Sequence, residues 1–139
     1  MIQKILVAYD GSESAKRALE FAVDLAGKYG SQIHVVAVAR PPDFGTEVET
    51  EAIVEKSQQH FAHLLALVKA KHASGPVSAT CEVLVGHPAE QIVRYAEKHG
   101  IDHIVLGRRG HTLFERWLIG SVARQVIAYA ACAVTVVQR

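Results

Sequence analysis

Five short apolar runs alternate along this chain with four segments in which the apolar residues recur every three or four positions. The runs are Lys4 to Tyr9, Ile33 to Ala39, Val77 to Val85, His103 to Leu106 and Ala133 to Val137. Most are near-continuous and β-branched, so they read as strands of a parallel sheet covered on both faces. The first helical segment carries Ala15, Ala18, Leu19, Ala22, Leu25 and Ala26 on one stripe, with Ser12 or Ser14 as cap and Gly30 near its end. Pro41-Pro42-Asp43-Phe44-Gly45 marks a loop before a longer helix, whose stripe runs through Ile53, Phe61, Leu64, Leu65 and Val68 and which Ser74-Gly75-Pro76 ends. A third helix opens at Pro88, buries Ile92, Val93 and Ala96, and stops at Gly100; a fourth runs from Val122 to Ala131.

Strand and helix alternating throughout predicts an α/β, doubly wound parallel sheet with four helices, because parallel neighbours need helical crossovers. No linker or low-complexity stretch divides the chain, so residues 1–139 read as one domain. Ligands of such sheets bind beyond the carboxyl ends of the strands, where the strand order reverses. Asp10-Gly11-Ser12 follows the first strand and Gly107 follows the fourth. If those two strands are neighbours, the two clusters form one site.

The most specific pattern is Gly107-Arg108-Arg109-Gly110, nine residues, then Gly120-Ser121 at the mouth of the fourth helix. Glycines let backbone amides approach an anion closely, and a helix N-terminus directs unpaired N–H groups and its positive dipole end at the same point. The layout is that of a cradle for a nucleotide's phosphates. Arg108 and Arg109 stand where a guanidinium would neutralise phosphate charge. Asp10 has two readings: it braces the turn before the first helix, or its carboxylate meets a ribose or a divalent ion.

Fifteen basic against fourteen acidic residues leave a formal net charge of +1, so neither nucleic acid nor an anionic membrane is an expected partner. No run reaches the ~20 apolar residues of a membrane span, and the chain enters a strand pattern at once, as in a cytoplasmic protein. Cys81 and Cys132 have no CxxC spacing and are expected as buried core thiols. His60 and His63 form an isolated HxxH on a helix that packing explains. Leu113, Phe114, Trp117, Leu118 and Ile119 are too apolar for a free loop, and predict a helical turn against the body or a partner.

From first strand to last, the chain resembles the universal stress protein family in its nucleotide-binding branch. The likeness rests on Val7-Ala8-Tyr9-Asp10-Gly11-Ser12, Gly86-His87-Pro88-Ala89, Gly107-x-x-Gly110-x9-Gly120-Ser121-Val122 and Ala133-Val134-Thr135-Val136-Val137. It implies a Rossmann-like sheet of order 3-2-1-4-5, with the first and fourth strands adjacent. It also implies that ATP, or ADP or AMP, sits at Ala8, Tyr9, Asp10, Val38, Leu106, Gly107, Gly110, Gly120, Ser121 and Val122, while Arg109 joins this set on its charge alone, because family members vary there. Asp10 would then help hold Mg2+ beside the phosphates. The family often dimerises through its terminal strand, here Ala133 to Val137, an edge whose unpaired N–H and C=O groups invite a second copy.

The function expected is a stress-response regulatory module that holds ATP. Its rivals are a slow nucleotide hydrolase and a ligand-free dimeric scaffold. Hydrolysis is expected to be weak at most, because no GxxxxGK[ST] loop supplies a phosphate lysine and no general base other than Asp10 stands near the glycines. A scaffold would not need the complete glycine pattern. A dinucleotide-binding enzyme is set aside because GxGxxG does not follow the first strand, which runs into Asp10-Gly11-Ser12-Glu13-Ser14.

Overall fold

The central strands are apolar on both faces because helices cover both. The computed structural model describes residues 2–108 and 119–138. In chain order the elements are β1 (Lys4–Ala8), α1 (Glu13–Tyr29), β2 (Gln32–Ala39), α2 (Glu47–His72), β3 (Ala79–Val85), α3 (Pro88–Lys98), β4 (His103–Gly107), α4 (Ser121–Tyr129) and β5 (Ala133–Val137). The five strands form one sheet in the order β3-β2-β1-β4-β5, and every neighbouring pair is parallel. Val7 of β1 lies between Val35 of β2 and Val105 of β4, so the first and fourth strands are adjacent.

Successive side chains of a strand point to opposite faces. Ile5, Val7, Ile33, Val35 and Val105 accordingly pack with the small residues Ala15, Ala18, Ala22 and Ala26 of α1 and with Leu65 and Val68 of α2. Leu6, Val36, Ile104 and Leu106 face the other way, against Ile92, Tyr95 and Ala96 of α3 and Ala123 and Val126 of α4. The Ser12 hydroxyl caps α1 by accepting from the Ala15 N–H at 3.1 Å, and Gly30 closes the helix at φ 68°. Thr46 and Glu49 form a reciprocal capping box on α2.

The structure corrects several expected burials. Ile53 is 51% exposed and not part of the α2 core stripe. With 26 residues, α2 is ~39 Å long against ~26 Å for the 8-residue β2, so its first turns outrun the sheet and only Leu65 and Val68 are buried. Leu25 and Val93 sit at the rims of their helices' apolar stripes and are half-buried. Cys81 is half-buried because β3 is an edge strand, and Cys132 lies in the bend before β5, outside the regular elements. Burial raises both thiols above their ordinary range. The last helix stops at Tyr129 and not at Ala131, since Ala130 turns to extended angles, φ −67° and ψ 139°.

Two histidines are held in half-buried sites. His34 of β2 bonds the Tyr95 hydroxyl through Nδ1 at 2.7 Å, and the Tyr95 ring stacks on His99 at 3.8 Å. Burial, then the neighbouring His99 and Lys4, push the His34 pKa below its ordinary value of 6.5. His103 of β4 bonds Thr135 Oγ1 through Nε2 at 2.6 Å, and burial lowers it as well. The unfolded chain therefore binds protons that the folded chain resists, beginning near pH 6.5. Stability from this source is unchanged above that pH and declines below it, down to the two folded-state pKa values. Urea midpoints measured from about pH 7.5 to about pH 5 should fall on the acid side, less steeply in the His34→Gln/His103→Gln variant; a parallel profile in that variant contradicts the assignment.

Candidate functional site

At the carboxyl ends of β1, β2 and β4 a cleft of about 420 Å³ opens where the N-termini of α1, α3 and α4 converge. The strand order reverses here: β2 and β3 lie on one side of β1, and β4 and β5 on the other. Crossovers of one hand leave the two halves of the sheet on diverging paths, and the gap between them is the cleft.

The turn after β1 forms its first wall. The Ser12 N–H donates to Asp10 Oδ1 at 2.9 Å, and Gly11 between them takes the left-handed angle φ +82°. Asp10 thus braces the turn, as the structural reading of it requires, and its carboxylate still lines the cleft. The turn sets the start of α1, whose backbone at Ser14 comes so close to the end of β4 that a Cβ on Gly107 would lie 2.7 Å from the Ser14 carbonyl oxygen. Gly107 is needed for the approach of α1 to β4, a role beyond the access to an anion that its motif suggests.

The second wall is built by hydrogen bonds that tie β4 to α4. The Arg108 N–H donates to the Val137 carbonyl at 3.1 Å, and the Gly120 N–H donates to the Arg108 carbonyl at 2.8 Å. The two ends of the glycine-rich segment are therefore side by side. Gly120 is the N-cap residue of α4 and has no side chain to cap it, so the first-turn amides of that helix open toward the cleft at Ser121 and Val122. Helix α3 is similar: His87 makes no side-chain cap and Pro88 occupies the first helical position. Arg108 Nη1 donates to Gln138 Oε1 at 2.5 Å, which holds a guanidinium at the rim.

Ala8, Tyr9, Asp10, Val38, Leu106, Gly107, Gly120, Ser121 and Val122 all line this one cleft. Arg109 and Gly110 lie outside the described residues, as do His111, Thr112 and most of the expected turn from Leu113 to Ile119. Further lining comes from Val36, Phe61, Ile92, Arg108 and Ala123. Phe61 and Ile92 were legible only as core positions on helical stripes; their arrival at the cleft depends on where each crossover helix starts. His60 and His63 are exposed on α2, and among the described residues no group of three or more His, Cys, Asp or Glu is placed to hold a metal.

The donor set fits a nucleotide. Apolar Val36, Val38, Phe61 and Ile92 suit a base, while the uncapped α4 mouth and Arg108 suit phosphates. Mg2+ is commonly held by one or two carboxylates together with substrate phosphates, and Asp10 provides one. Gly107→Ala should destabilise the fold by about 1 to 3 kcal/mol, because the added methyl meets the Ser14 backbone carbonyl as well as the Ser14 hydroxyl, and the carbonyl cannot rotate away. Urea denaturation checks this, and a loss below about 0.5 kcal/mol would show that α1 can retreat freely.

A profile of the universal stress protein family matches residues 1–138. A universal stress protein of Methanocaldococcus jannaschii is 34% identical over all of this chain and 84% of its own length. Among solved structures, a universal stress protein of Lactobacillus plantarum superposes with a TM-score of 0.86 at 27% identity, covering 98% of this chain and 97% of that one. An Arabidopsis thaliana family protein with AMP bound shares the fold at a TM-score of 0.68 and 19% identity, covering 97% and 90% of the two chains. A universal stress protein in complex with cAMP does so at 0.63 and 22%, covering 97% and 96%. With the family profile spanning the chain, a 34% identical relative and a sheet order that agrees with them, the chain belongs to the universal stress protein family.

Proposed function

We propose that this protein is an ATP-binding regulatory module of the cytoplasm, holding the nucleotide with Mg2+ in the cleft between β1 and β4. The observation that carries the reading is the uncapped N-terminus of α4, which opens at Gly120-Ser121 into the same cleft as Gly107 and Asp10. The AMP and cAMP complexes of proteins with this fold agree with an adenine nucleotide as the ligand class, and ADP or AMP would use the same contacts. Without a phosphate lysine, the protein would hold the nucleotide more than consume it.

Calorimetry with ATP and Mg2+ should show one site per chain, lost in Gly120→Val. The angles of Gly120, φ −62° and ψ 154°, are ordinary for valine, so the variant fills the phosphate space while leaving the backbone unstrained. Unchanged affinity in that variant removes the proposed site.

A homodimer through β5 is proposed alongside. This strand is an edge of the sheet, and its residues Val134 to Val137 are only half-buried within one chain. Pairing with a second copy about a twofold axis would satisfy the open ladder and cover them. Light scattering should return twice the mass of one chain at high micromolar concentration; the mass of a single chain there refutes the pairing.

A further inference from the structure

A second cavity, about 530 Å³, lies between α3 and α4 and shares Pro88, Ser121 and Val122 with the cleft. Each cavity alone falls in the range of about 300 to 1,000 Å³ typical of small-ligand sites, so the second has room for a ligand group of its own. We infer that this groove receives the second nucleoside of a dinucleoside polyphosphate whose first nucleoside occupies the cleft. The inference rests on the nucleotide reading proposed above.

Three features of the groove carry it. Its basic side chains are Arg40, His87 and Arg94, in a chain whose net charge is only +1. Arg94 is bonded to Glu90 at 2.9 Å, but Arg40 is exposed and has no ion pair or hydrogen bond among the described residues. An exposed guanidinium beside a helix mouth is suited to bidentate contact with phosphate. Tyr129, at the end of α4, lines the groove with its side 74% exposed and without a ring partner among the described residues. An unstacked tyrosine in a groove also lined by the apolar Val93 offers a base one face of a stacking site.

The third feature selects a linked ligand over two separate ones. Ser121 and Val122, at the N-terminus of α4, belong to both cavities, so phosphates entering from either side meet at one helix mouth. Two independent nucleotides would bring two polyanions to that point and repel each other. A single phosphate chain satisfies the mouth once and continues past it toward Arg40.

The test is calorimetry on the full chain with Mg2+, comparing ATP with diadenosine tetraphosphate in the wild type, Arg40→Ala and Tyr129→Ala. Both residues are exposed, and circular dichroism verifies that the variants fold. Diadenosine tetraphosphate should bind one per chain and about tenfold tighter than ATP, and each variant should lose about fivefold or more of that affinity with ATP binding unchanged. Normal ATP binding with no tighter binding of the dinucleotide, or with dinucleotide affinity unmoved in either variant, overturns the inference and leaves the ATP site standing. Two equivalents of ATP, one of them lost in Tyr129→Ala, overturns the linked ligand in favour of a separate second nucleotide. Failure of both nucleotides to bind the wild type overturns the ATP reading and the inference with it.

Discussion

The backbone of α1 at Ser14 occupies the space where residue 107 would carry a Cβ, and the geometry of the site depends on that contact. It presses the first turn of α1 onto the end of β4 and brings the Asp10-Gly11-Ser12 turn level with the start of the glycine-rich segment. The contact exists because β1 and β4 are paired neighbours, with Ile5 opposite His103 and Val7 opposite Val105. A side chain at 107 would separate two elements that are far apart in sequence, and the cleft between them would lose its walls.

Around this contact the fold is stabilised by burial on two faces with different textures. The face under α1 is lined by alanines, which let the helix lie close to the strands, and it is completed by the larger Leu65 and Val68 of α2. The face under α3 and α4 uses Ile92, Tyr95 and Val126 beside the smaller Ala89, Ala96 and Ala123. The close-packed α1 side supplies a tight turn and the Gly107 contact, whereas the α3 and α4 side carries a groove that runs on from the cleft. Neither cavity needs a strained residue, since among the described residues every positive φ belongs to a glycine.

The chemistry of the cleft follows from helix ends more than from side chains. Ser12 satisfies the start of α1, while Gly120 and His87 leave α4 and α3 without a side-chain cap. Unmet amides at a helix mouth favour an anion, and here one such mouth adjoins a carboxylate and a guanidinium, Asp10 and Arg108. That combination suits a ligand with a phosphate chain, an attached sugar and a base able to use the apolar lining.

Much of this arrangement was legible in the chain. Near-continuous β-branched runs such as Ile33 to Ala39 identify buried parallel strands, and the observed bounds differ from the expected ones by two residues at most. The glycine spacing and the Asp10-Gly11-Ser12 turn picked out Asp10, Gly107, Gly120 and Ser121, which line one cleft, because turn chemistry and helix caps are local properties; the family resemblance added Ala8, Tyr9, Val38, Leu106 and Val122. Burial along α2 and the contributions of Phe61 and Ile92 were not legible, since an apolar stripe reports a helical face but not how far the helix overhangs its sheet. The specific need for glycine at 107 was hidden for the same reason. It arises from Ser14, 93 positions away in sequence, and only the pairing of β1 with β4 brings the two backbones together.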